Sequence, residues 1–88
     1  MKIKNDFLIR ILKKLEDRSN WYKASELCNA LGMQKEGASF FAHGIHLIQL
    51  AHVEQKRNSY KEREWRITPS GREYLKELLT PEAGFKAD

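Results

Sequence analysis

Residues 24–33 read ASELCNALGM, a short segment that ends just after a glycine. Leu27, Cys28 and Leu31 recur at the spacing that brings side chains to one face of a helix. Gly32 follows them, and glycine readily adopts the positive φ that a sharp turn after a helix requires. The segment therefore predicts a short amphipathic helix that ends in a tight turn.

Two longer helices are predicted on either side of this segment. The first covers residues 6–15 and has one apolar face. The other covers residues 34–50, and its apolar surface is so broad that we expect burial on two sides. Gly44 in its middle predicts close packing against another helix, and a break near Gly37 stays open. The apolar residues of this longer helix are Ala38, Phe40, Phe41, Ile45, Leu47, Ile48 and Leu50.

The hydrophobic period changes to two after Leu50, which indicates β-strands. Residues 53–57 and 63–67 alternate in polarity, and the polar residues 58–61 between them suit a turn. We therefore predict a hairpin here, and a short extended piece at residues 21–23.

A fourth helix is predicted over residues 69–79. Thr68 offers a hydroxyl cap, and Pro69 occupies the first helical position, where the missing amide costs nothing. Pro81 ends this helix, and we expect residues 81–88 to form a flexible C-terminal tail.

The composition is that of one folded domain. The chain has 88 residues, which is too short for two hydrophobic cores. Of these residues 41% are hydrophobic, a fraction too high for a disordered chain. The lone Cys28 allows no internal disulfide, and no signal peptide or membrane-spanning stretch is recognisable, so we expect a cytoplasmic protein. The formal net charge of +4 favours polyanionic partners, because each neutralised phosphate releases condensed counterions.

The order of these elements resembles the winged helix-turn-helix superfamily of small bacterial, phage or plasmid transcriptional regulators. The resemblance implies a mainly α fold with a small β-hairpin (α+β), in which residues 1–80 form a three-helix core, a wing and a C-terminal helix. Ala51 departs from it, since such families usually carry glycine between the third helix and the wing. The resemblance covers residues 5–79, with 24–41 as the helix-turn-helix motif, 47–54 as the passage into the wing and 67–72 as its return.

This resemblance implies a protein that binds double-stranded DNA, with the third helix in the major groove and the wing on the phosphate backbone. Glutamine can form a bidentate hydrogen-bonded contact with adenine, and lysine or histidine can donate hydrogen bonds to the acceptors of guanine. A merely solvated helix face is the alternative for these positions. The candidate base contacts are Gln34, Lys35, Ser39, His43 and His46.

Positive and polar residues in and beside the wing are candidates for phosphate contacts, which position a protein without specifying a sequence. Glu54, Glu62 and Glu64 reduce the net positive charge of the hairpin. The alternative to phosphate binding is therefore that the hairpin is only a charged, solvent-exposed edge of the sheet. We interpret Trp21 and Trp65 as core residues rather than as platforms for bases. The candidate backbone contacts are Lys23, Lys56, Arg57, Asn58, Ser59, Lys61 and Arg63.

Catalysis and metal binding are not expected. His43 and His46 lie three apart, but no carboxylate or thiolate stands at a matching spacing. Cys28 lies on the apolar face of its helix, where an inert buried thiol is expected. No catalytic triad or phosphate-binding glycine loop is recognisable, so we predict no enzyme activity, no metal and no cofactor. No small-molecule effector is evident from the sequence.

The alternative function is a protein-interaction module without sequence-specific DNA binding, because a fold alone does not settle function. Apolar residues of the first and last helices would then contact the partner. The same surface would otherwise form a homodimer that reads two DNA half-sites, or join a DNA-bound assembly. The candidates for this surface are Tyr74, Leu78, Leu79 and Phe85.

Overall fold

The helices pack around a three-stranded antiparallel sheet with strand order β1-β3-β2. A computed structural model of the protein describes residues 3–18, 20–33 and 37–80. The described elements are α1 (Asn5–Glu16), β1 (Tyr22–Lys23), α2 (Ala24–Ala30), α3 (Ala38–Gln49), β2 (Val53–Arg57), β3 (Arg63–Ile67) and α4 (Pro69–Leu78). Their order is the predicted one, and the expected extended piece before α2 is a short strand.

Two of the predictions fall partly or wholly outside the described residues. The third helix was expected to begin at residue 34, with a break near Gly37 left open. Gly37 is the extended N-cap, so the break is present and α3 begins at Ala38. The flexible tail was expected at residues 81–88, and it stays a prediction.

The turn after α2 forms as the sequence indicates. Leu31 caps the helix, and Gly32 takes the left-handed conformation with φ of 81°. The Met33 N–H then donates to the Cys28 carbonyl oxygen at 3.1 Å, which satisfies a carbonyl group that the helix end leaves open. The chain therefore turns directly after α2.

Trp65 in the central strand β3 organises the sheet side of the core. It pairs with Tyr22 of β1 on one side and with Gln55 of β2 on the other. Its ring is fully buried and stacks on Phe40 of α3 with ring centroids 5.1 Å apart. Its Nε1–H donates to the Gln55 Oε1 at 2.8 Å, so the indole is both packed and hydrogen-bonded.

Helix α3 is buried on one side only, so the prediction of burial on two sides is wrong. This helix packs against α1 and β2, which cover one of its faces. Ile45 is 49% exposed, because no described element covers the opposite face. Leu50, the C-cap at the end of the helix, is 45% exposed. The residues that α3 buries are Phe40, His43, Gly44 and Leu47.

The turn between α3 and β2 takes a left-handed conformation at Ala51, where φ is 64°. This conformation raises the free energy of a residue with a Cβ atom by roughly 1 kcal/mol. The Thr68 hydroxyl supports the turn, since it donates to the Ala51 carbonyl oxygen at 2.8 Å. The same hydroxyl oxygen accepts the Gly71 N–H at 2.9 Å, which confirms the predicted cap of α4.

Gly44 lies against the Trp65 ring, so it allows close packing against the sheet rather than against a helix. A methyl group at Gly44 would overlap this ring. We expect Gly44→Ala to lower the free energy of unfolding by about 1–3 kcal/mol, because overpacking outweighs a gain of up to about 1 kcal/mol in helix propensity. Urea denaturation measures the change.

The control for this substitution is Gly37→Ala, whose added methyl meets no atom within 4 Å. We expect it to change the free energy of unfolding by less than about 1 kcal/mol. Unchanged or raised stability of Gly44→Ala would show that the Trp65 ring moves aside at no cost.

Candidate nucleic-acid interface

The outward face of α3 consists of Ala38, Ala42, Ile45 and Gln49, which follow one another at spacings of four, three and four residues. Ala42 is half-buried and the other three are exposed. This face lies opposite the residues that α3 buries against α1 and the sheet. In the described part of the helix it offers apolar surface and one amide, and it carries no ionisable side chain.

The predicted base contacts on α3 lie to one side of this outward face. Ser39 and His46 each follow an outward residue by one position, which turns them about 100° around the helix, and both are half-buried. Gln34 and Lys35 lie outside the described residues, so their role stays a prediction. The three- and four-residue spacing of the outward residues was present in the sequence, but Ala38 and Ile45 were expected to be buried because they are apolar.

The prediction that His43 faces outward is wrong. His43 is 1% exposed, and its ring lies 4.4 Å from the Phe7 ring of α1, centroid to centroid. Its Nε2 accepts the Lys4 backbone N–H at 3.0 Å, and its Nδ1 lies 2.7 Å from the Ser39 carbonyl oxygen. This pattern places the ring proton on Nδ1, since a nitrogen that accepts an amide N–H carries none. His43 therefore joins the start of α1 to α3 and is not available to a base.

The hairpin of β2 and β3 has an inner face that adjoins α3. Strand pleating puts Arg57 and Arg63 on this face, together with Trp65, and the two arginines pair directly across the strands. The Arg63 guanidinium lies 4.8 Å from the centre of the Phe41 ring on the flank of α3. Neither arginine forms an ion pair with a carboxylate of the described residues.

The outer face of the same hairpin carries charges of both signs in pairs. Arg66 contacts Glu54 at 2.7 Å, and the Lys56 Nζ lies 3.7 Å from a Glu64 oxygen. Both cations also lie over the Trp21 ring, at 4.5 Å for the Arg66 Cζ and 4.8 Å for the Lys56 Nζ. Trp21 is half-buried beneath them, so it is a support for the outer face rather than a fully buried core residue.

Lys23, in the neighbouring strand β1, is also paired. Its Nζ lies 3.4 Å from a Glu62 oxygen. Hydrogen bonds from Asn58 and from Lys23 lower the pKa of Glu62, so this carboxylate stays charged over a wider pH range. The glutamates thus compensate Lys23 and Lys56, two of the predicted backbone contacts.

Asn58 builds the turn of the hairpin instead of pointing to a ligand. Its Oδ1 accepts the Tyr60 N–H at 2.8 Å and the Glu62 N–H at 3.1 Å. Its Nδ2 donates to carboxylate oxygens of Glu62 and Glu64 at 3.0 and 2.9 Å. The prediction of Asn58 as a phosphate contact is therefore corrected, because all of these groups are already engaged within the turn.

Lys61 and Ser59 are exposed at the tip of the hairpin. The Lys61 backbone is left-handed, with φ of 62°, and its carbonyl oxygen accepts an Arg57 guanidinium N–H at 2.8 Å. This hydrogen bond ties the Arg57 side chain to the tip. Lys61 forms no ion pair with a described carboxylate, so its charge is available to a ligand.

A cleft of about 220 Å³ lies between the start of α2 and the hairpin. Three positive side chains and one carboxylate meet there, and Arg63 links the cleft to the flank of α3 through its contact with Phe41. The cleft therefore extends from the flank of α3 at Phe41 toward the tip of the hairpin. Its lining residues are Ala24, Ser25, Arg57, Lys61, Glu62 and Arg63.

The predicted partner surface on α4 is only partly exposed. Tyr74 stacks on the His52 ring with centroids 4.3 Å apart, and Leu78 packs against the core. Desolvation by this packing lowers the pKa of His52. The negative charge of Glu77 raises this pKa and so partly offsets the desolvation. Leu79 is 47% exposed, and Phe85 lies outside the described residues.

Two further properties concern the described part of the chain alone. No helix in it is long and apolar enough to cross a membrane. No three histidine, cysteine or acidic side chains in it are grouped so that they would hold a metal ion.

Cys28 is buried in the core, as its position on the apolar face of α2 predicted.

The structural role of His43 predicts a loss of stability on substitution. We expect His43→Ala to lower the free energy of unfolding by about 2–4 kcal/mol, because it leaves a cavity and an unpaired amide at Lys4. His46→Ala, one turn away and half-buried, is the matched control with an expected loss below about 1 kcal/mol. Equal effects of the two substitutions in urea denaturation would contradict the role assigned to His43.

Comparison with known proteins gives structural neighbours only. No protein-family model and no curated protein matches the chain. One similar structure is the transcriptional regulator BldR from Sulfolobus solfataricus, with a TM-score of 0.68 and 23% identity over 83% of this chain and 51% of that one. Another is a point mutant of MepR from S. aureus, with a TM-score of 0.73 and 12% identity over 97% of this chain and 62% of that one.

The chain therefore spans about half the length of the BldR chain and less than two thirds of the MepR chain. At these identities the likeness concerns the fold. The protein has a winged helix-turn-helix fold, in which α2 and α3 form the helix-turn-helix and β2 with β3 forms the wing.

Proposed function

We propose that the protein binds double-stranded DNA as a transcriptional regulator, with α3 in the major groove and the wing on the phosphate backbone. The fold supports this proposal, because winged helices commonly present their third helix to the major groove. The similar BldR structure is described as that of a transcriptional regulator.

The observation that carries the proposal is the separation of charge between the two faces of the wing. The outer face pairs its cations with glutamates, whereas Arg57 and Arg63 on the inner face have no described carboxylate partner. Lys61 adds a third such cation at the tip, in the same cleft. Uncompensated cations beside an exposed helix are suited to the phosphates that border a groove.

The arginines are also held in place before any ligand binds. Arg57 donates to the Lys61 carbonyl oxygen, and Arg63 rests on the Phe41 ring. A guanidinium group in a fixed position loses less side-chain entropy when it binds a phosphate, and its planar fork suits bidentate contact. The inner face of the wing therefore has the geometry as well as the charge of a phosphate-binding surface.

The two faces of the wing predict different salt effects for two lysines. We expect Lys61→Ala to reduce the slope of log affinity against log salt by about 0.9, the value for one phosphate contact. Lys56→Ala is the matched control, with little change expected because Glu64 already compensates this lysine. Fluorescence anisotropy of a random duplex at several KCl concentrations measures both slopes.

Equal slopes for the wild type and Lys61→Ala would show that the tip of the wing does not contact the DNA phosphates. Undetectable or salt-independent binding to any duplex would contradict DNA binding altogether. The protein-interaction alternative would then account for the exposed apolar residues of α3.

We further propose that the protein acts on DNA as a homodimer, because a single module this small reads a short site. The exposed Leu79 at the end of α4 is the described candidate for the contact, and Phe85 stays a predicted one. We expect sedimentation at tens of micromolar to give the mass of two chains, and Leu79→Glu to give the mass of one. A monomeric mass of the wild type with and without DNA would contradict the dimer.

A further inference from the structure

The outward face of α3 has a composition that discriminates among base pairs. Guanine is most commonly bound by arginine or lysine, and cytosine by aspartate or glutamate. None of these residue types lies on the described outward face, which consists of Ala38, Ala42, Ile45 and Gln49. The chemistry of the described part of this face, within residues 38–49, therefore does not match G·C pairs.

The same face does match the groups that an A·T pair exposes in the major groove. The C5-methyl group of thymine is the apolar group there, and alanine and other apolar side chains contact it. Ile45 offers an exposed apolar side chain at the centre of the face, with Ala42 beside it. Gln49 offers an amide, which can bond the N6 and N7 atoms of adenine in a bidentate manner.

The distances along the helix fit stacked base pairs. Ile45 and Gln49 are four residues apart, which is about 6 Å along the helix axis. Successive base pairs are about 3.4 Å apart, so the two side chains would meet pairs about two steps apart. One helix face can thus contact a thymine and a nearby adenine at the same time.

The surroundings of this face favour DNA over an apolar protein surface as its occupant. Phe41 borders the face on the wing side, and the Arg63 guanidinium lies 4.8 Å above the centre of its ring. Arg57 and Lys61 continue this positive border along the cleft. A helix face with an apolar centre and a positive border complements a groove with methyl groups on its floor and phosphates along its rim.

We propose that α3 selects A·T base pairs, with Ile45 and Ala42 on thymine methyl groups and Gln49 on a nearby adenine. This inference rests on the proposed DNA binding and adds the base preference to it. The salt-dependent contacts of the wing do not contribute to that preference, because phosphates are the same at every base pair.

The test compares thymine with uracil, which lacks only the C5-methyl group. The full chain is first used to select duplexes from a random library, and an A·T-rich sequence is expected. Its affinity for the selected duplex is then measured against the same duplex with deoxyuridine in place of every thymidine. We expect a loss of about fourfold for each contacted methyl group, the value for burying one such group.

Substitutions on α3 locate the effect. Ile45→Ala is expected to bring the ratio of thymine to uracil affinities toward one while leaving the salt slope unchanged. Leu50→Ala removes a similarly exposed apolar side chain at the end of the same helix, off the outward face, and should keep the wild-type ratio. Lys61→Ala should lower the salt slope and also keep the ratio.

The outcomes separate this inference from the proposed function. Salt-dependent binding with equal affinities for the thymine and uracil duplexes would overturn the A·T preference and leave DNA binding in place. A wild-type ratio retained by Ile45→Ala would overturn the assignment of the methyl contact to this residue. Absence of binding to every duplex would overturn the proposed function and the inference together.

Discussion

The contact between Gly44 and the Trp65 ring fixes how α3 is rotated about its own axis. Because glycine has no Cβ, the helix approaches the buried indole closely enough for Phe40 to stack on the ring. The opposite side of the helix must then face away from the core, which brings Ile45 and Gln49 to the surface. The outward face, and any base preference that it confers, therefore depends on this packing constraint.

The wing shows how strand pleating can separate charges that alternate along the sequence. Acidic and basic residues are mixed along the hairpin, yet odd-numbered and even-numbered positions project to opposite faces. Glu54 and Glu64 consequently compensate cations on the outer face and leave Arg57 and Arg63 uncompensated on the inner one. Net charge alone understates such a surface, because the ion pairs of Glu54 and Glu64 lie on the outer face, and the inner cleft has three cations beside the single carboxylate of Glu62.

The local signals in the sequence predicted most of the fold correctly. Gly32 forms the turn after α2, Thr68 caps α4, and the change of hydrophobic period marks the hairpin. Each of these features depends on a few neighbouring residues, so a short stretch of sequence contains the necessary information. The candidate site was predicted less well, since His43 is buried and Asn58 holds the wing turn. Both depend on partners whose positions a single segment does not reveal.

The sequence by itself determined the order of the elements, the turn at Gly32 and the position of the wing, because backbone conformation and hydrophobic period are local properties. Only the tertiary structure decided which side of α3 faces outward. The apolar Ile45 is exposed and the polar His43 is buried, which is the reverse of what their polarity suggests. His43 can be buried because it forms hydrogen bonds with Lys4 and Ser39 inside the core. A buried polar group is stable wherever its hydrogen bonds are satisfied. Hydrophobicity therefore identified the helix, whereas packing and hydrogen bonding fixed its orientation.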